Sequence, residues 1–327
     1  MLPFPSVRLH PVLATLVVLF CTASASAQDS RDTSFDLTRL NASPRSAALA
    51  GAATALPDED PSALFANPAL LSSETEGQLS LSYLNHLSGI NAGFASYARD
   101  VKGIGRLAVG LRYLSYGEFD RTTADGTTEG TFGASEAAVT LGYAHDLTDR
   151  LRLGGSAHAL FESVDDASGS ALMADAGVAY DIPSQLLTLS ASVHGIGAVT
   201  SSLGTDDARL PVDVRVGIAK RLQYLPLTVS ITGYELQRYD NAEGGSALDE
   251  ALRHVSAGGE LQLGKALALR LGYDPGRAED LRTGGRLDLA GLNAGFGIST
   301  RRVTVDYART GWGEFGGLHQ FGVRFGM

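Results

Sequence analysis

Residues 106–113 of the chain read RLAVGLRY, and an apolar side chain stands at every second position. The even-numbered positions carry small or charged residues, and the odd-numbered positions carry Leu107, Val109, Leu111 and Tyr113. Successive side chains of a β-strand point to opposite faces of the sheet. This octapeptide therefore predicts a strand with one apolar face and one polar face.

The same alternation returns from Gln78 onward, in the segments 78–83, 151–161, 212–218, 227–231, 255–263, 267–273, 292–298, 303–307 and 321–325. Strict alternation is typical of strands that are buried on one face only. With residues 284–298 counted as one strand, the chain holds about 14 strands. We therefore predict an all-β protein, a transmembrane antiparallel β-barrel of about 14 strands.

The connections between these strands alternate between short and long. Short turns are expected at 101–105, 146–149, 181–183 and 222–226, and longer polar loops at 118–131, 163–170, 199–210, 240–252 and 275–283. Outer-membrane barrels have short periplasmic turns and longer outer loops. The pattern thus predicts a membrane barrel over residues 78–327.

Charged residues stand opposite the apolar rows, at Arg106, Arg112, Glu136, Arg152, His158, Asp175, Asp213, Arg215, Arg270 and Asp306. In a barrel they would face the lumen, because a charge on the lipid side costs ~2–4 kcal/mol near the midplane. In a soluble secreted sandwich they would face water, and this alternative stays open. Small residues on the same face would leave room inside a barrel, at Gly154, Gly177, Gly217 and Gly295.

The N-terminus has the features of a secretory signal peptide. Val12 to Phe20 form an apolar core, and Ala25 and Ala27 form a small-x-small cleavage site, so we expect a signal peptide at residues 1–27. Cys21, the only cysteine, lies within it, which leaves the mature chain without disulfides. The formal net charge of -10 and the lack of a basic cluster argue against nucleic-acid binding.

The segment 28–77 between the signal peptide and the first strand does not alternate. Its proline residues Pro57, Pro61 and Pro68 interrupt any long helix. We predict a compact plug-like segment with short helical turns that packs against or inside the barrel. Residues 58–60 are acidic, and a solvated turn or a contact with lumenal arginine is favoured there over a calcium site, because the spaced ligands of an EF-hand are missing.

Residues 43–71, SPRSAALAGAATALPDEDPSALFANPALL, resemble the N-terminal hallmark of the PorV/PorQ family, a branch of FadL-like barrels. Ala50 departs from the family pattern, which has a second glycine there. The candidate lumen residues matched by the motif are Arg45, Gly51, Asp58, Asp60, Phe65, Asn67 and Pro68. Segments 89–98, 105–113, 124–132, 170–177 and 210–217 resemble the PorQ-like members in particular.

The resemblance implies a non-enzymatic outer-membrane component of the type IX protein secretion system, without a cofactor. Such a protein would anchor a PorZ-like surface partner of the cargo attachment complex and would contact outer-membrane lipids. The loops 118–131 and 240–252 are candidates for binding that partner. The Asn67–Pro68 turn would be architectural, ending the plug and starting the first strand.

The wider resemblance leaves a second function open, a FadL-like transporter of long-chain fatty acids or other hydrophobic compounds. The lumenal faces of the predicted strands are polar and small, which favours the anchoring role. An enzyme is not expected, because the sequence has neither a G-x-S-x-G nucleophile elbow nor a His-Glu-x-x-His motif. The histidines are scattered, and we predict no metal site.

Overall fold

The computed structural model describes residues 34–57, 59–204, 208–238, 247–282 and 289–327. The predicted signal peptide, Asp58 and most of the predicted loop 240–252 lie outside these residues. Among the described residues, no helix is long and apolar enough to cross a membrane.

The chain forms a closed antiparallel barrel of fourteen strands, as the alternation predicts. Each strand pairs with its neighbours in sequence, and the last strand pairs with the first. The strands are β1 (Gln78–Asn85), β2 (Asn91–Val101), β3 (Gly105–Thr122), β4 (Thr128–Asp146), β5 (Leu151–Val164), β6 (Ala167–Ile182), β7 (Leu187–Ser201), β8 (Asp213–Arg221), β9 (Leu227–Gly233), β10 (Val255–Leu263), β11 (Leu267–Tyr273), β12 (Leu292–Ser299), β13 (Val303–Gly311) and β14 (Gly317–Gly326). Closure leaves no sheet edge within the spanning region, which a lipid environment requires, and it rules out the two-sheet sandwich.

The two faces of the wall differ as the sequence predicts. On β3, Leu111 and Tyr113 are 52% and 53% exposed on the outside, whereas Arg112 between them is 4% exposed on the inside. Inward-facing charges of this kind lie in the lumen, and apolar side chains cover the lipid-facing surface. This is the arrangement of a transmembrane barrel.

The wall is much taller on one side than on the other. Strands β3 to β7, the tall wall, have 14 to 19 residues. Strands β8 to β14, the low wall, have 7 to 10 residues. The tall wall therefore rises beyond the outer rim that the low wall defines.

Two of the predicted outer loops are strand instead. In the segment 118–131, β3 and β4 continue to Thr122 and Thr128 around the turn 123–127, and Phe119 stacks on Phe132 with ring centroids 5.5 Å apart. In the segment 163–170, only residues 165–166 connect β5 to β6. Both faces of these extensions meet water, so they show no apolar alternation, and polarity alone gave the wrong prediction of loops.

Short helical elements occupy the remaining connections and the N-terminal segment. They are the α-helices Pro44–Ala48, Ala63–Ala66, Ala247–Arg253 and Pro275–Asp280 and the 3₁₀ turns Asp36–Arg39, Pro68–Leu70, Ser73–Thr75, Leu87–Gly89, Pro183–Gln185, Leu236–Arg238 and Gly313–Phe315. In the N-terminal segment, Ser43 caps the helix Pro44–Ala48 by accepting a hydrogen bond from the Ser46 backbone N–H. Proline suits the first position of a helix, because the backbone N–H that it lacks would have no partner within the helix there.

Candidate functional site: the barrel lumen

Residues 34–77, here called the N-terminal segment, lie against inward-facing glycines of the wall. An added Cβ at Gly177 would stand 2.0 Å from Asn67 Oδ1, and one at Gly154 would stand 2.3 Å from the Ala69 backbone nitrogen. Gly217 and Gly295 meet residues 55 and 48 of the segment in the same way. The prediction that these four glycines leave room inside the barrel is confirmed.

Asn67 organises the middle of the N-terminal segment. It is fully buried, its Oδ1 accepts a hydrogen bond from the Ala69 N–H at 3.0 Å, and its Nδ2 donates to the Thr54 carbonyl at 3.1 Å. The adjacent Pro68 is buried against Gly154 of β5. A residue larger than glycine at position 177 would collide with the Asn67 side chain, so this glycine makes room for Asn67 in the lumen.

Arg45 enters a buried charge network on the low wall. Its guanidinium donates to both carboxylate oxygens of Glu260, at 2.8 and 2.7 Å. Glu260 also accepts from Arg270 at 2.7 Å, and Arg270 bonds to Asp306 at 2.5 Å. Two cations thus alternate with two carboxylates, so the buried charges compensate one another.

Gly51 and Asp60 have conformational roles in the N-terminal segment. Gly51 has a φ of +78°, a region that glycine occupies without strain, and it follows Ala50, whose φ is +57°. Asp60 is buried, and its Oδ1 accepts from the Ser62 N–H at 2.8 Å next to the helix Ala63–Ala66. Glu59 lies 3.4 Å from the lumenal Arg324. Asp58, the remaining candidate, lies outside the described residues.

Phe65 lies beneath a buried cation of the tall wall. The Arg112 guanidinium carbon stands 4.7 Å from the centre of the Phe65 ring, a cation–π contact. Arg112 Nη1 also donates to the Thr38 carbonyl at 3.4 Å, and Nη2 lies 3.2 Å from His158 Nδ1. Arg112 therefore joins two parts of the N-terminal segment to the wall.

A polar cluster that the sequence did not predict surrounds Asp175. Its Oδ2 lies 2.9 Å from His158 Nε2 and 3.1 Å from His194 Nδ1, and its Oδ1 accepts from the Gly195 N–H at 3.1 Å. The pairing of β6 with β7 shifts register between residues 174 and 176, where β7 has one residue more than β6. Gly195 has a φ of +79° in this bulge, and both His194 and the Gly195 N–H face Asp175. Among the described residues, no group of histidine and acidic side chains is arranged to hold a metal.

An apolar cluster fills the outer half of the lumen, between the tall wall and strands β1, β2 and β14. The N-terminal segment contributes Phe35, Leu37, Leu64, Phe65 and Leu71, and the wall contributes Leu84, Phe94, Leu114, Leu160, Met173 and Leu318. The expectation that the lumen is polar and small throughout is therefore wrong for this half. The sequence does contain a signal, since apolar doublets break the alternation at 83–84, 113–114, 160–161 and 172–173.

Three polar contacts hold residues 36–39 over this apolar cluster. Glu136 accepts a hydrogen bond from the Leu37 N–H at 2.9 Å and another from the Tyr116 hydroxyl. Arg39 lies 3.7 Å from Glu235, which is the second contact. The third is the hydrogen bond from Arg112 to the Thr38 carbonyl. Each is a single hydrogen bond or ion pair, which contributes about 0.5–1.5 kcal/mol net.

A cavity of about 20 Å³ lies between these residues and the polar cluster around Asp175. Its lining includes Arg39, Arg112, Asp175, His194 and Asp213. This volume holds about one water molecule. With the N-terminal segment in this position, the cavity is too small for an organic ligand.

Comparisons with known proteins show which solved structures share this architecture. No protein-family model matches the chain, and no curated protein matches its sequence. The Pseudomonas putida toluene transporter TodX has a TM-score of 0.57 at 13% identity, over 86% of this chain and 96% of that one. The monoaromatic hydrocarbon channel CymD has a TM-score of 0.57 at 13% identity, over 90% and 99% of the two chains. A Pseudomonas aeruginosa FadL homologue has a TM-score of 0.49 at 12% identity, over 87% and 98%.

The chain thus has the fold of FadL-like outer-membrane barrels, with fourteen antiparallel strands around a lumen. TodX and CymD are described as a transporter and a channel. At 13% identity the likeness concerns the fold. The solute or partner of this barrel therefore depends on the residues of its own lumen and rim.

Proposed function

We propose that this protein is an outer-membrane channel for small hydrophobic compounds. The observation that carries the proposal is the buried apolar cluster in the outer half of the lumen. A water-filled pore is lined by polar side chains, whereas binding sites for small organic molecules are mostly apolar with a few polar groups. The fold shared with a toluene transporter and a hydrocarbon channel supports the same function.

Entry of a solute requires residues 35–40 to leave the apolar cluster. The polar contacts that hold them are few: Glu136 and Arg112 lie on the tall wall, and Glu235 follows β9 on the low wall. The rest of the N-terminal segment is fixed by backbone contacts to glycine and by the buried network around Glu260. A partial displacement would therefore expose apolar surface without removing the whole segment from the barrel.

Uptake of radiolabelled toluene into vesicles that contain the folded barrel tests the proposal. Met173 faces the lumen and is 5% exposed, whereas its neighbour Leu172 faces lipid and is 60% exposed. We expect Met173→Gln to reduce uptake severalfold and Leu172→Ala, the matched control, to leave it unchanged. Uptake no faster than in protein-free vesicles would refute a channel for such compounds.

A second candidate is the anchoring role in the type IX secretion system, with a PorZ-like surface protein as partner. It is supported by the resemblance of residues 43–71 to the PorV/PorQ family and by the tall wall, which gives a partner a surface beyond the rim. In this role the N-terminal segment would stay in place and the protein would not be an enzyme. The outer membrane is the proposed location in both cases.

Affinity purification of the tagged protein from solubilised outer membrane separates the two functions. Recovery of a surface protein in near-equal amount would support the anchoring role and identify the partner. Recovery of the barrel alone, carrying a stoichiometric hydrophobic molecule, would support the channel. Mass spectrometry of the eluate detects both a co-purified protein and a bound hydrophobic molecule.

A further inference from the structure

The outer part of β3 has an unpaired edge. β2 pairs with β3 only as far as Asn91 opposite Ser115, whereas β3 continues beside β4 until Thr122 opposite Thr128. Within the part of the chain that the structure describes, residues 116–122 therefore have a hydrogen-bonded neighbour strand on the β4 side alone. In an antiparallel strand, every second residue directs its N–H and C=O to the other side, so this stretch offers free donors and acceptors.

β3 stops pairing with β2 at a bulge around residues 115–117. The β3–β4 ladder shifts register between Ser115 and Gly117, where Gly117 has a φ of +84° and its N–H donates to Ser115 Oγ at 3.3 Å. A bulge of this kind bends a strand away from the sheet. The stacked rings of Phe119 and Phe132 then keep the hairpin together above the rim.

The two faces of this edge differ in chemistry. Glu118 and Asp120 are exposed on one face, and within the described residues neither carboxylate forms an ion pair. Phe119 is 44% exposed on the other face. Arg121 on that face is already paired with Asp165 at 2.5 Å, so it does not neutralise the two carboxylates.

We propose that the edge of β3 at residues 116–122 binds an extended segment of another protein by β-strand addition, and that this segment alternates basic and apolar residues. Main-chain hydrogen bonds would supply affinity, and the alternate side chains would supply specificity. Basic residues would face Glu118 and Asp120, while apolar residues would face Phe119. A second copy of this chain fits poorly, because like charges opposite one another destabilise a strand pair.

This inference goes beyond the channel function and does not depend on it, since it concerns the rim and not the lumen. It provides a binding site for the second candidate function. A failure of toluene uptake would leave it intact, because its test measures peptide affinity and not transport.

The test uses the full barrel in lipid nanodiscs and a biotinylated peptide of alternating lysine and valine, six residues long with blocked ends. The control peptide has the same composition in blocks, three lysines followed by three valines. We expect the alternating peptide to bind at least tenfold more tightly than the block peptide. Equal binding of the two peptides would overturn the proposal.

Two variants with the same charge change locate the site. Glu118→Lys lies on the free edge of β3, and Glu314→Lys lies in the exposed connection between β13 and β14, at the same end of the barrel and away from this hairpin. We expect a loss of at least tenfold in affinity for the first and little change for the second. Wild-type affinity of Glu118→Lys, or an equal loss in both variants, would overturn the edge site.

Two controls accompany these measurements. Migration of the unheated protein on a denaturing gel shows whether each variant still folds as a barrel, and only variants that do are compared. The sedimentation of the barrel without peptide is also recorded. Self-association that Glu118→Lys abolishes would overturn the proposal in favour of a second copy as the occupant.

Discussion

The low wall and the tall wall contact the same N-terminal segment by different means. On the low wall, backbone atoms of the segment press against glycines such as Gly272, and buried ion pairs join Arg45 to the strands. On the tall wall, apolar side chains such as Leu160 pack around Phe65 and its neighbours. Backbone contacts and buried charges allow one geometry, whereas apolar side chains can repack. Gly154 of β5 meets the backbone at Ala69 in the same way, so the low wall and this part of the tall wall fix the segment. The apolar outer half of the tall wall is where the segment can move.

The largest effect is expected from the charge network of the low wall. Glu260→Gln keeps the size of the side chain but removes the charge that Arg45 and Arg270 share. Leaving buried cations without their partner costs about 3–5 kcal/mol. A urea titration of the barrel in vesicles should show this loss in the free energy of unfolding. A change below about 1 kcal/mol would mean that water reaches the network and that the low wall does not fix the segment electrostatically.

Truncation in the apolar cluster should cost slightly less and should change uptake as well. Leu160 is 1% exposed, and Leu160→Ala is expected to lower the free energy of unfolding by about 3 kcal/mol. Because the change enlarges the apolar space near residues 35–40, toluene uptake should rise in vesicles where the protein remains folded. Phe161→Ala, on the lipid-facing side of the same strand, is the control. Equal effects of both substitutions on uptake would show that the cluster does not line the path.

A pair of glycine substitutions compares the two walls directly. An added Cβ at Gly272 would stand 2.4 Å from the backbone carbon of Leu49, whereas at Gly110 the nearest atom, also at 2.4 Å, is the tip of the Phe65 ring. A ring tip can move aside and a backbone cannot. Gly272→Ala is expected to lose about 1–3 kcal/mol and Gly110→Ala less than 1 kcal/mol. Thermal denaturation of the two variants side by side measures the difference, and a larger loss at Gly110 would reverse the assignment of the walls.

The smallest effect concerns pH at the seam between β1 and β14. Outside the spanning strands, His86 packs edge-on against Trp312 with ring centroids 5.1 Å apart, and burial lowers the pKa of His86. The stabilisation from the neutral ring is fully present above the unfolded pKa of about 6.5 and is lost as the pH falls through the lower folded value. Because the ring is only partly buried, we expect a few tenths of a kcal/mol.

His86→Phe keeps the ring contact and removes the titration. Between about pH 7 and pH 5, the variant should lose less stability than the wild type, as measured by urea midpoints. Parallel pH profiles of the two proteins would show that the packing against Trp312 does not depend on the charge of His86.

The sequence predicts the barrel well because its alternation follows directly from the pleat of a strand with lipid on one side. It fails for the hairpin at Phe119, where both faces are in water and no alternation arises. The polar cluster is another miss, because His158, Asp175 and His194 meet only through the register of three strands and one irregular pairing. A single sequence does not specify such register. The apolar doublets at residues 113–114 and 160–161 do mark the lumenal cluster, because one apolar side chain of each pair lies on the inward face.

The path of the N-terminal segment around the lumen also constrains how the protein is assembled. Arg45 meets Glu260 across 215 positions of the chain, and the Ala47 carbonyl meets Asn293 across 246. The Met327 N–H donates to the Gly77 carbonyl, so the two ends of the barrel meet at the final step of closure. Pairings between such distant residues form slowly. The N-terminal segment therefore reaches its final position only after the last strands have formed, and its apolar side chains lack their partners on the wall until then.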